Sequence, residues 1–134
     1  MRRKNIAALV LCVIIILLLT GCSQSAEESN VAGKTYIYES EGCGGNFTIT
    51  IKQDGSFVYY EGYLSSYIGM GKWSVADTVL TLTDDETTGH PYKNRFKISG
   101  DDIIFIEDGS SNFLYVKVKD GQIFHGTPTA GAAL

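Results

Sequence analysis

Hydrophobic and polar residues are arranged along this chain in two ways, and the change falls near residue 22. Before it, residues 6–19 form an unbroken apolar run of fourteen. After it, apolar residues come at every second position in short bursts: Phe47, Ile49 and Ile51 alternate with Thr48, Thr50 and Lys52. Period two marks a strand with one face buried. The same grammar predicts strands over residues 35–39, 57–62, 72–75 and 80–83. It continues over 92–99, 103–107 and 112–119, and ends with Ile123 and Phe124. In the stretch 112–119, Leu114, Val116 and Val118 oppose Tyr115 and Lys117. Asp54-Gly55, Asp108-Gly109 and Asp120-Gly121 supply tight turns that accept positive φ. Gly62, Gly69 and Gly71 bracket a softer connection, residues 63–70, read as a lid-like loop or an irregular strand. No helical periodicity of useful length follows residue 22. The fold class is therefore all-β, a small antiparallel meander of about eight strands closed into a barrel so that no edge is left exposed.

The apolar run has a different purpose. Arg2, Arg3 and Lys4 precede it and Leu19-Thr20-Gly21-Cys22 closes it. Fourteen residues suit a signal-peptide core, whereas a membrane span needs about 20. The Leu-Thr-Gly-Cys ending resembles the lipobox of bacterial lipoprotein precursors. That resemblance implies a diacylglycerol on the Cys22 sulfur and cleavage just before it, so that the anchor is two acyl chains and not a helix. The division expected is residues 1–21 signal peptide, 22–32 lipidated cysteine and flexible tether, 33–124 barrel and 125–134 disordered tail. A coil of ten residues would hold the domain roughly 18 Å from the bilayer while leaving it free to turn.

All fifteen acids lie after Cys22, against eight bases there. That balance argues against nucleic-acid binding, which needs clustered Lys and Arg. Cys12 sits in the apolar run and Cys22 at its end, so Cys43 is alone in the folded part and has no internal disulfide partner.

Taken together, the chain looks like the small lipocalin-like barrels of bacterial lipoproteins. It is similar in particular to the N-terminal barrel of the envelope-stress and copper-homeostasis lipoprotein family. The residues that carry this are Gly42-Cys43-Gly44-Gly45, the Phe47-to-Ile51 strand, Asp54-Gly55-Ser56-Phe57, Gly71-Lys72-Trp73 and Leu80 through Asp84. The family's paired Cys-x-x-Cys has no counterpart here, so no metal or disulfide role carries over.

Candidate chemistry is sparse. His90 and His125 are the only histidines, and a zinc site wants three or four converging ligands. No Gly-x-Ser-x-Gly motif and no phosphate-cradling loop occurs. The expectation is thus no catalytic, cofactor or metal residue. Tyr63, Tyr67 and Cys43 are the candidates for a ligand or partner surface, since exposed aromatic faces stack on ligands. The reading is a non-enzymatic, lipid-anchored extracytoplasmic barrel, held to a bacterial cell or outer membrane, that binds a small ligand or an envelope protein. The rivals are a packed adaptor module and a cell-envelope enzyme or enzyme inhibitor. Whether Trp73, Phe47, Ile49, Leu80, Phe96 and Phe105 fill the interior decides between carrier and adaptor.

Overall fold

In the computed structural model, residues 22–39, 46–62, 67–84 and 92–128 are described. Among these residues one helix, α1 (Cys22–Val31), precedes eight strands. These are β1 (Lys34–Tyr38), β2 (Phe47–Ile51), β3 (Ser56–Tyr60) and β4 (Ile68–Ala76), then β5 (Val79–Asp84), β6 (Lys93–Ser99), β7 (Asp102–Ile106) and β8 (Ile123–Pro128). Each strand pairs antiparallel with the next, and β8 returns to pair with β1, closing the barrel. The expected eight-stranded antiparallel barrel is what the chain forms.

Period two places one residue set inside. Phe47, Ile49, Ile51, Leu80, Leu82, Phe96, Ile103 and Phe124 are fully buried. Phe47 meets three rings edge to face, Phe113 at 4.7 Å, Phe124 at 5.3 Å and Tyr59 at 5.7 Å. Edge-to-face pairs of this kind each add about 0.5–1.5 kcal/mol beyond their buried area. Of the six residues named as interior tests, five are buried. Trp73 is half-buried at the edge of the core, its Nε1 donating to the Lys52 carbonyl at 2.9 Å.

The two barrel ends differ in their connections. At one end, β2–β3, β4–β5 and β6–β7 are joined by tight turns, and α1 packs there. Gly55 takes φ +87° in the Asp-Gly turn, where the Asp54 carboxylate accepts the Ser56 amide at 2.9 Å. At the other end lie the four longer connections, between β1 and β2, β3 and β4, β5 and β6, and β7 and β8.

Three expectations are corrected. Residues 22–31 are helical and docked, where a flexible tether was expected. A ten-residue helix is marginal alone, so its stability comes from tertiary contacts. Val31 is fully buried at the barrel end, Asn30 Nδ2 donates to the Gly100 carbonyl, and Gly33 (φ +79°) terminates the helix. Residues 112–119 are not a strand. The edge of β7 is occupied by β8 and by the bonds between Phe105 and residues 121–122. A closed barrel offers an alternating segment no vacant edge. The segment 125–128, expected in the tail, belongs to β8 and supplies the ladder to β1. Of the two readings of residues 63–70, the strand holds for residues 68–70, which begin β4.

Candidate functional site

The site with the most unusual chemistry lies at the long-connection end, where residues 107–122 cross from β7 to β8 as a strap. Serines attach its start. Ser111 N donates to the Lys93 carbonyl at 2.7 Å, Lys93 N to Ser111 Oγ at 3.1 Å, and Arg95 N to Ser110 Oγ at 2.9 Å. They satisfy the backbone of β6 where β7 has ended. Asn94, buried, adds Nδ2 to the Ser111 carbonyl at 2.8 Å. The far end is tied by the Glu107 amide to Asp120 Oδ1 and the Lys119 amide to Gln122 Oε1.

The middle of the strap hangs on one side chain. Glu61 is 1% exposed, and its Oε1 accepts the amides of Tyr115 and Val116 at 3.0 and 3.1 Å. Its Oε2 has no hydrogen-bond partner among the described residues. Glu61 follows Phe57 and Tyr59 in the inward phase of β3, which is why a carboxyl group points at the barrel mouth. Phe113 packs its ring onto Phe47, Tyr59 and Phe105, and Val116 is buried beside it. Leu114 and Tyr115, between these anchors, are left 51% and 57% exposed. A hollow of about 280 Å³ lies between Phe105 and the strap, lined also by Phe113, Val116 and Val118.

Beneath the strap, Tyr59 meets Tyr92 at 5.3 Å and Tyr67 at 6.1 Å. Its ring also lies on Gly69, where an added Cβ would come within 2.2 Å of it. Burial raises the Tyr59 pKa far above the ordinary phenol value, helped by Tyr92, Glu61 and Tyr67. Tyr59 is therefore a neutral phenol at physiological pH, not a base. At the opposite end the Lys34 ammonium donates to Asp101 at 2.8 Å and lowers that carboxyl's pKa.

No protein-family model, curated protein or solved structure matches this chain. Any assignment therefore rests on the residues themselves.

The candidates named from the sequence scatter. Cys22 is the first residue of α1. Cys43, Tyr63 and His90, like the segments 1–21 and 129–134, lie outside the described residues. Tyr67, expected on an exposed surface, is partly buried against Tyr59 with its hydroxyl enclosed. His125 stands on the outer face of β8, its Nδ1 3.4 Å from Asp102 Oδ1. No group of three His, Cys, Asp or Glu able to hold a metal occurs among the described residues. Sequence reasoning passed over Glu61 and Phe113 and read Val116 only as part of a strand. The available signal was Glu61 itself, an acid on the apolar phase of a strand.

Proposed function

We propose that this protein is a lipid-anchored, extracytoplasmic and non-enzymatic β-barrel that binds an envelope partner at the rim of its long-connection end. The observation that carries this reading is the pairing of a ring-filled interior with an exposed apolar rim. Leu114 and Tyr115 on the strap join Ile68 (49% exposed) and Met70 (46%) on β4. Glu61, which holds the strap, directly follows Tyr60, whose ladder partner is Ile68, so both groups belong to one side of the mouth. Exposed aromatic and aliphatic anchors are what protein interfaces are built from. The anchor reading rests on Arg-Arg-Lys, the apolar run and Leu-Thr-Gly-Cys22. With α1 leading from Cys22 to the tight-turn end, this rim would face away from the bilayer.

The hollow under the strap favours a second reading, a small ligand held there. At about 280 Å³ it falls just short of the roughly 300–1,000 Å³ of drug-sized sites.

Two measurements test the proposal. Cys22→Ala should move the chain out of the membrane fraction, and mass analysis of the wild-type N-terminus should find a diacylated cysteine. Leu114→Ser with Tyr115→Ser should abolish in-cell crosslinking to the partner while leaving the melting temperature unchanged. Turnover of a substrate by the purified chain would overturn the non-enzymatic assignment.

A further inference from the structure

The chain is acidic as a whole, yet its bases are not spread evenly. On β6 the inward phase is Asn94, Phe96 and Ile98, so Lys93, Arg95 and Lys97 all point outward. Lys72 of β4 joins them, because Lys72 pairs with Thr83 and Thr83 with Lys93 across β5. Four of the chain's eleven basic residues thus share the outer face of three strands. Their ladder neighbours there are uncharged: Val79, Thr81 and Thr83 on β5, Ile104 and Ile106 on β7. None of the four forms an ion pair among the described residues. A groove of about 380 Å³ runs over this face, lined by Val79, Thr81, Lys93 and Arg95 and bounded by Gly109 and the β4–β5 turn. Its one carboxylate among the described residues, Asp77, stands in that turn. Arg95 is held in place by its Nη1 donating to the Asp108 carbonyl at 2.9 Å, which uses one of its five N–H donors.

We infer that this groove binds a linear phosphodiester polymer with short uncharged linkers, of the polyol-phosphate class. Alternate residues on a strand are about 6.8 Å apart. The phosphates of a glycerol-phosphate chain, six backbone bonds of about 1.5 Å apart, repeat at roughly 7 Å when extended. Successive phosphates therefore register with Lys93 and Arg95, which line the groove, and with Lys97, the next outward residue of β6, and the Thr81 hydroxyl and Val79 lie under the linkers. The net negative charge does not oppose this, because charges more than about 8–10 Å away are largely screened at physiological salt. Two competing occupants fit worse. Among the described residues the face has no aromatic side chain on which bases could stack, as single-stranded nucleic acid requires. An acidic peptide would lack a strand edge to pair with, since all eight strands are already paired. The choice of polymer rests on the extracytoplasmic reading above; the cationic groove does not.

The test is fluorescence anisotropy of a labelled glycerol-phosphate oligomer with the full chain in nonionic detergent. Binding is expected at about 50 mM salt, weakening as salt rises with a log–log slope near −2 for three phosphate contacts. Lys93→Gln with Lys97→Gln should weaken binding at least tenfold and reduce that slope by about 1–1.5. Arg95→Lys should retain the slope but lose affinity through the fork geometry. Lys117→Gln with Lys119→Gln, on the strap, should change neither. The inference is overturned if the oligomer does not bind, if the strap pair matters as much as the β6 pair, or if oligo(dT) or polyglutamate binds more tightly. Because membrane fractionation of Cys22→Ala is independent of this groove, failure here and failure of the anchor reading are separable.

Discussion

The two ends of this barrel solve the same problem, closing a hydrophobic interior, by opposite means. The α1 end uses tight turns between neighbouring strands, with a glycine stop after the helix, one buried valine, and Asn30 and Lys34 bonded to the β6–β7 turn. The strap end uses long-range contacts: Glu61 meets amides 54 and 55 residues away, and Phe113 reaches back to Phe47. Local closure is robust, because each turn forms with the strands it joins. Closure by a strap depends on a few side chains, so it is where the molecule yields first and where a partner has most to gain.

The largest expected effect is alkaline unfolding, and it probes both ends at once. Tyr59 lies under the strap. Tyr36 lies beside Asp101 and Asp102 at the α1 end, and its pKa is raised by burial and then by those two carboxylates. A raised folded pKa stabilises the fold fully below the unfolded value, about 10 for tyrosine. That contribution is lost as the pH climbs from there toward the folded value. Tyrosinate absorbance from these residues should therefore appear together with loss of near-ultraviolet circular dichroism, above about pH 10. Tyr59→Phe, with no phenol to ionise, should move the midpoint upward. An unchanged midpoint would mean that Tyr59 does not govern the transition.

Next in size is the latch. Glu61→Ala strands two amides and should cost about 2–4 kcal/mol in urea denaturation, since each buried unsatisfied group costs about 1–3. Glu61→Gln keeps an acceptor and should cost under half as much. Hydrogen exchange is the sharper readout. The Tyr115 and Val116 amides should lose protection in Glu61→Ala while those of β1 and β8 keep theirs. Uniform loss everywhere would show that the strap is not a separable unit.

At the other end, Val31→Ala should cost about 1–2.5 kcal/mol, the usual range for removing buried methyl groups. It should also lower far-ultraviolet helicity, because α1 has little else to hold it. Stability and helicity both unchanged would return residues 22–31 to the role of a loose tether.

How far each end can be read from sequence follows the same division. Alternation in Phe47-Thr48-Ile49-Thr50-Ile51 and turns such as Asp54-Gly55 are local signals, and they led to eight strands and a closed barrel. Residues 112–119 carry the same alternation but lose the competition for β7 to residues 121–124, a contest decided by closure and invisible locally. The helix failed for a related reason: residues 22–31 have almost no apolar periodicity, and Val31 acts through a hole that exists only once the barrel is built. The candidate site was legible only in fragments. Glu61 on an apolar phase and Lys93, Arg95 and Lys97 on a polar one stood in the sequence, but their partners are set by the assembled sheet.

The smallest prediction concerns one turn and has a sign that most substitutions lack. β4 and β5 are joined by Asp77 and Thr78, with φ of 50° and 62°. A two-residue turn between antiparallel strands wants positive φ at both places, because its twist then matches the sheet. A β-branched side chain is the poorest occupant of that region. Thr78 is exposed, so removing its side chain forfeits little packing. Its carbonyl, which accepts the Ile98 amide at 2.8 Å, is unaffected. Thr78→Gly should therefore stabilise the protein by about 0.5–1 kcal/mol, net of the extra freedom glycine gives the unfolded chain. The matching change two strands away runs the other way. Gly55, at φ +87° with open space around its Cβ position, should cost about 1 kcal/mol when replaced by alanine, from backbone strain alone. Opposite shifts in thermal midpoint would show that this end is held by turn geometry. Equal shifts of one sign would mean that its stability lies in α1 instead.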